Sequence, residues 1–315
     1  MNALERRFSF VTGKGGVGKT TVSASLAVSL SASGRRTLLA VTDPEPYRAL
    51  VPEARWQEDP TPARAGLWTV HLRPDLALKE YGRLLIKPRL ARQALFENRY
   101  VQGFLAAVPG LPEWAVLGKA WYHASEKLGG APRFDHVIFD APASGHGLEM
   151  LRLPQVIMEV APAGLLRRDA ELARAMLQDP NECSIVIVTL PEELPTNEAI
   201  ELRAELLSEL GLPVGALVLN RLRSLVFEER ERTLLRPLWN AQVSGEAAPA
   251  LSAAAAQAAA EMAQLESRAR LAVLGTPLIE LPQLEHSVLD PSWLSDLGRL
   301  LLSGGPSRDR QSPPV

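Results

Sequence analysis

Cysteine occurs once in this chain, at position 183, so no intrachain disulfide can form. A lone thiol fits a reducing compartment, and a cytoplasmic location is expected. Lysine is nearly as scarce: of 34 basic residues only six are lysine, at 14, 19, 79, 87, 119 and 127. No apolar run reaches the roughly 18 residues that a membrane-spanning helix needs, and the first residues enter a strand pattern almost at once, so no leader peptide is expected. The formal net charge is −2, which gives no basic field for a nucleic acid to follow; none is expected as a partner.

What is present is an ordinary globular composition, 46% hydrophobic over 315 residues, enough for one large α/β domain or two smaller ones. Two of the six lysines fall in one eight-residue stretch, Gly13-Lys14-Gly15-Gly16-Val17-Gly18-Lys19-Thr20. The spacing is that of the phosphate-cradling P-loop. Residues 7–12 read as the strand before it. Residues 21–33 read as the helix after it, with Val22, Leu26, Val28 and Leu30 on its apolar side and Gly34 at its end. Glycines let backbone amides close around an anion, and the helix N-terminus adds its positive dipole. Lys19 is expected to reach the β- and γ-phosphates and the Thr20 hydroxyl to ligate Mg²⁺, with Thr21 next to them.

Further along, residues 36–42 read as a strand buried on both faces, followed by a Pro-rich loop to about residue 62. Residues 67–72 read as an edge strand. Residues 75–128 read as helical, with Leu95, Tyr100, Phe104 and Val108, then Trp114, Leu117 and Trp121, at helical spacing. Strands are expected at 134–139, 184–189, 214–220 and 277–281, and helices at 196–210, 227–240, 250–273 and 293–302. Alternating strands and helices imply a doubly wound, mostly parallel sheet: one α/β domain over 1–302 with a helical insertion at 75–128 and a helix-rich part at 225–273. The tail 303–315 is expected to be disordered. Ligands of such sheets sit at the carboxyl ends of the strands.

Two acids stand at such ends. Asp43 follows the second strand, where a carboxylate can orient an attacking water or hold Mg²⁺ through one; the same residue also suits an Asp-Pro turn. Asp140 follows the apolar run 134–139, as a Mg²⁺-binding acid does, and would equally serve as a helix cap. The loop after it, with Pro142, Gly145 and His146, has the small residues of a segment that rearranges around a γ-phosphate. His146 reads equally as a phosphate donor and as a structural residue.

Lys14, directly after the first glycine, marks a deviant P-loop and resembles the arsenite-pump ATPases, the tail-anchored-protein targeting ATPases and the cell-division and partition ATPases. Asp43-Pro44-Glu45-Pro46 is similar to the first switch of the first two groups, and Asp140-Ala141-Pro142-Ala143-Ser144-Gly145-His146-Gly147 to the second. The resemblance runs in order from about residue 8 to 302. It implies ATP and Mg²⁺ as ligands, a homodimer that closes on ATP, and Lys14 reaching the partner's nucleotide. It makes Asp43 the water-orienting acid, Asn220 a reader of adenine, Pro282 a neighbour of the base, and Glu198 a residue near nucleotide and interface.

The departures narrow the role. One cysteine makes neither the Cys-x-x-Cys zinc site of the eukaryotic targeting factors, nor a three-thiolate arsenite site, nor an iron–sulfur cluster, so none of these groups is expected. With five methionines in the chain and about thirty residues between Leu153 and Cys183, a long Met-rich cargo segment is missing. The favoured expectation is a dimeric ATPase handling a hydrophobic or protein client, with a hydrophobic client or a membrane protein as its partner. An anion-efflux subunit and a membrane- or DNA-positioning ATPase are the alternatives, the latter weakened by a closing helix with only Arg299 basic. The stripe from Leu95 to Trp121 is the candidate client surface, or else core.

Overall fold

The computed structural model describes residues 3–85, 110–142, 144–241, 244–284 and 292–304. Ala143, the stripe Leu95, Tyr100, Phe104 and Val108, and the tail beyond residue 304 lie outside the described residues.

The chain alternates elements as the hydrophobic runs demand. The strands in chain order are β1 (Phe8–Thr12), β2 (Thr37–Val41), β3 (Thr61–Arg64), β4 (Leu67–His71), β5 (Lys127–Leu128), β6 (Ala131–Pro132), β7 (His136–Asp140), β8 (Cys183–Thr189), β9 (Val214–Leu222) and β10 (Leu278–Pro282). The helices are α1 (Lys19–Ala32), α2 (Pro74–Leu85), α3 (Leu111–Ser125), α4 (Ser144–Val160), α5 (Leu165–Gln178), α6 (Glu193–Ser208), α7 (Glu229–Leu235), α8 (Ala248–Ala272) and α9 (Trp293–Ser303). Among the described residues, eight strands form one sheet in the order β10-β9-β8-β1-β7-β2-β4-β3, and β5 and β6 pair separately. Every neighbouring pair in the large sheet is parallel except β3 with β4.

Period-two alternation divides the core between the two faces. Phe8 and Phe10 of β1, Leu38 and Ala40 of β2, Val137 and Phe139 of β7, and Ile185 and Ile187 of β8 point to one face, where α3 to α6 cover them. Val11, Leu39, Val41, Ile138, Val186 and Val188 point to the other, under α1 and α9. The central strands are therefore apolar throughout, as buried parallel strands are.

α1 lies between sheet and α9 and is buried nearly all round, so small serines at 23, 25, 29 and 31 replace a polar outer face. Gly298 of α9 comes so close that a Cβ there would stand 2.0 Å from Ser29 Oγ and 2.3 Å from Ser25 O. Gly298→Ala must push the helices apart; urea unfolding should show a loss of about 1–3 kcal/mol, and an unchanged midpoint would contradict this packing.

Three sequence expectations are corrected. Residues 67–72 are not an edge: β4 lies between β2 and β3. The edge is β3, in a stretch read as loop because Pro62 breaks the pattern; an edge strand tolerates proline, whose missing N–H can face water. The 75–128 segment is not helical to its end, since Lys127 and Leu128 turn back in the β5–β6 pair. Finally, Trp114 and Leu117 are fully buried against the sheet and Trp121 is partly buried, so this half of the candidate client stripe is core.

Candidate functional site

β1 has β7 on one side and β8 on the other, although the chain runs from β1 to β2 first. The strand order reverses there, and a crevice opens at the carboxyl ends, the usual ligand position in such sheets. The loop Gly13–Gly18 fills that crevice between β1 and α1. Its conformation requires glycine: Gly13, Gly16 and Gly18 have φ of 141°, 83° and 100°. A Cβ on Gly13 would meet Val188 O at 2.2 Å and one on Gly18 would meet Asn220 Nδ2 at 2.3 Å, whereas beside Gly15 and Gly16 nothing stands within 4 Å. The loop is thus pressed onto the sheet at its ends and open in its middle, at the N-terminus of α1, where an anion is favoured.

Lys19 Nζ donates to Gly13 O and Lys14 O, both at 3.0 Å, which folds the ammonium into the loop. Burial lowers its pKa from the ordinary lysine value, opposed by the charge of Asp140. Thr20 Oγ1 donates to Asp140 Oδ2 at 3.0 Å, and Ser23 Oγ approaches Oδ1 at 3.4 Å. β7 delivers Asp140 to this point because Val11 and Asp140 sit in register across β1 and β7. Burial pushes the Asp140 carboxyl up from the usual range, against hydrogen bonds from Tyr47 and Thr20 and the charge of Lys19. A hydroxyl and a carboxylate side by side are hard oxygen donors of the kind that Mg²⁺ shares with nucleotide phosphates and waters, so Thr20 and Asp140 fit that ion. Among the described residues no group of three or more His, Cys, Asp or Glu could hold a metal by itself.

The other expected residues divide. Asp43 is exposed, its Oδ1 accepting the Glu45 amide at 3.0 Å, as in an Asx turn. Asn220 is buried and donates Nδ2 to Val17 O at 2.9 Å, which joins the end of β9 to the P-loop. Pro282 lies opposite Leu222, on the strand next to β9. Gly145 and His146 are exposed on the first turn of α4, Pro142 is half-buried, and Thr21 is half-buried just before the buried run of α1 that starts at Val22. Lys14 and Glu198 are brought together: Nζ and Oε1 are 2.6 Å apart, each side chain about a third exposed (35% and 33%). The second carboxylate oxygen of Glu198 is buried with no hydrogen-bond partner.

Sequence reasoning missed two features. Tyr47 follows the Asp43 segment and is fully buried, with its hydroxyl donating to Asp140 Oδ2 at 2.7 Å. Nothing in a Pro-rich loop announces a buried phenol; only its place four residues after Asp43 was a signal. The other is the fastening of the chain after Asn220 onto α8. Gln264 pairs with both the amide (2.9 Å) and the carbonyl (2.8 Å) of Arg223, and Glu261 accepts the Val226 amide at 2.7 Å and Arg232 Nη1 at 3.1 Å. Burial pushes the Glu261 carboxyl up, but these donors with Gln257 and the Phe227 amide outweigh it and hold it below the ordinary range. Beside this clamp lies a cavity of about 250 Å³, lined by Leu190, Glu192, Arg221, Arg223, Gln264 and Gln283.

Comparison with known proteins agrees with this geometry. The family model described as anion-transporting ATPase matches residues 6–163, from β1 through the end of α4. The ATPase BagA of Mycobacterium tuberculosis is 30% identical over 225 residues, 68% of this chain and 65% of that protein. The arsenical pump-driving ATPase of Escherichia coli is 29% identical over 251 residues, 74% of this chain and 42% of that protein, and the ATPase GET3 of Kluyveromyces lactis is 25% identical over 259 residues, covering 71% and 74%. The chain thus spans less than two-thirds of the length of the two bacterial relatives. With a matched model over half its length and the P-loop, Thr20 and Asp140 joined in one crevice, the chain belongs to the anion-transporting ATPase family.

Proposed function

We propose that this chain binds ATP with Mg²⁺ and hydrolyses it, and that it does so as a homodimer closing across the nucleotide. The observation that carries the reading is the convergence of Lys19, Thr20 and Asp140 on an open glycine loop at a helix N-terminus. Phosphoryl transfer asks for positioning and charge neutralisation more than for covalent chemistry. The amides of residues 15–19 and the Lys19 ammonium hold the phosphates; Asp43, exposed at the rim, orients the attacking water; Asn220 and Pro282 lie on the adenine side, next to the cavity at Arg221 and Gln264. Thr20, with Asp140 acting through water, would hold Mg²⁺, which would supply neutralisation of the phosphate charge. Pro142, Gly145 and His146 form the loop that responds to the γ-phosphate, and Glu198 lies close to Lys14 at the interface.

The Asp43 role has a direct test. Asp43→Asn should bind ATP with unchanged affinity and turn over at least about tenfold slower, since one water-positioning group is lost. Steady-state phosphate release and nucleotide binding measured on the same preparation decide it; unchanged turnover removes Asp43 from the reaction.

The client is a hydrophobic segment or a protein in our reading, a membrane protein among the partners it would suit, with no nucleic acid and no zinc. No described helix is long and apolar enough to cross a membrane. The Escherichia coli relative's name supports a second reading, the ATPase subunit of an anion pump. The cysteine content weighs against arsenite as the anion: Cys183 is buried at the start of β8, and burial pushes its thiol far up, away from the thiolate a soft metalloid needs. Arsenite-stimulated hydrolysis lost in Cys183→Ser would reverse that preference.

A further inference from the structure

Tyr47 is, after Trp114, the largest fully buried side chain among the described residues. Its ring sits in the core on the α1 side of the sheet, 5.3 Å from the ring of Trp56. A phenylalanine would fill that space with no polar atom to satisfy. The hydroxyl instead makes a bond of 2.7 Å to Asp140 Oδ2, the oxygen that already accepts Thr20 Oγ1 at 3.0 Å. A carboxylate offers about four lone-pair positions over two oxygens. Tyr47 and Thr20 fill those of Oδ2; Ser23, at 3.4 Å, only grazes Oδ1. Oδ1 is therefore the oxygen with accepting capacity to spare.

The backbone carries the tie further. Tyr47 ends the 3-10 turn Glu45–Tyr47, its amide donating to Pro44 O at 3.0 Å and its carbonyl accepting the Leu50 and Val51 amides. At the other end of the turn, Asp43 accepts the Glu45 amide. Asp43 at the rim and Asp140 at the floor are thus joined through one short turn, which the Asp43 carboxylate holds at its start and the Tyr47 hydroxyl ties to Asp140 at its end.

We propose that Tyr47 is a positioning residue of the ATPase site: its hydroxyl orients the Asp140 carboxylate with Oδ1 toward the cation, and its turn sets the loop that carries Asp43. The inference rests on the ATPase reading and concerns metal use, so its test reads metal-linked binding and not turnover alone. A fluorescent ATP analogue is titrated with and without Mg²⁺ into wild-type and Tyr47→Phe protein. Without Mg²⁺ the two should bind alike within about twofold. The gain in affinity that Mg²⁺ confers should fall about tenfold in Tyr47→Phe, as expected for losing one hydrogen bond to a charged acceptor. In an Asp140→Asn background the same substitution should add nothing, because Tyr47 acts through that carboxylate.

A full Mg²⁺ gain in Tyr47→Phe, or an equal loss with and without Mg²⁺, overturns the proposal. So does a full additional loss in the Asp140→Asn background, which would mean another route. A melting temperature lowered by more than about 8 °C would assign the hydroxyl to the fold and overturn the positioning role as well. Absence of any nucleotide binding by the wild-type protein would instead strike the ATPase reading itself, so the two failures are distinguishable.

Discussion

Lys19→Ala is expected to reduce ATP affinity at least about a hundredfold and to bring hydrolysis to background, the largest effect of any single substitution in this site. The ammonium is the one side-chain cation folded into the glycine loop, fixed by the carbonyls of Gly13 and Lys14. Its loss leaves several phosphate charges facing backbone dipoles alone. It also frees two carbonyls that would then point toward an anion. The fold should hardly notice, since both carbonyls can take water, and the melting temperature should stay within a few degrees. Lys19→Arg should not rescue: a planar fork is larger than a point ammonium and cannot enter a loop pressed onto Val188 at one end and Asn220 at the other. Titration with a fluorescent ATP analogue and a phosphate-release assay measure both quantities. Binding within tenfold of wild type would remove Lys19 from the phosphate site.

The second large effect concerns Lys14. In the single chain this lysine is paired with Glu198 of the same chain. The pair is a third exposed and contributes little stability, roughly 0–1 kcal/mol, so it is readily exchanged for a partner's phosphates. If Lys14 acts on the partner's nucleotide, Lys14→Ala and Asp43→Asn proteins are each nearly inert, and mixing them restores activity. In every mixed dimer the chain that keeps Asp43 receives Lys14 from the other. With random assortment half the dimers are mixed and one of their two sites works, so about a quarter of the wild-type rate should return. A lysine that serves its own site leaves every site in the mixture defective. The rate is followed against mixing ratio, with heterodimers verified by differently tagged chains; no recovery would make Lys14 a ligand of its own chain's site or a bystander.

The fold was legible because its signals are local. Runs such as 36–42 and 184–189 are apolar on both faces, which only a covered parallel strand explains, and both became central strands. The failures have the same origin. β3 carries Pro62 and reads as loop, because pairing with β4 at an edge is decided by the neighbour and not by the strand's own sequence. Trp114 and Leu117 repeat at helical spacing whether they face a client or a sheet; the burial that separates the two belongs to the packed molecule.

The same division runs through the site. The sequence alone determined the P-loop, because glycine at 13, 16 and 18 with Lys19 and Thr20 is a contiguous set whose backbone geometry and chemistry follow from residue type. It also placed Asp43 and Asp140 at strand ends, which fall on one rim of any such sheet. The tertiary structure decided everything that joins distant segments. It set Thr20 against Asp140, 120 positions apart, Asn220 against Val17, 203 apart, and Lys14 against Glu198, 184 apart. It turned a tyrosine in a Pro-rich loop inward to Asp140. The reason is physical: a hydroxyl, an amide or a carboxylate has the same chemistry in any sequence, but its partner is chosen by the register of strands and the burial that makes an unpaired polar group costly. Neither quantity exists until the sheet has formed.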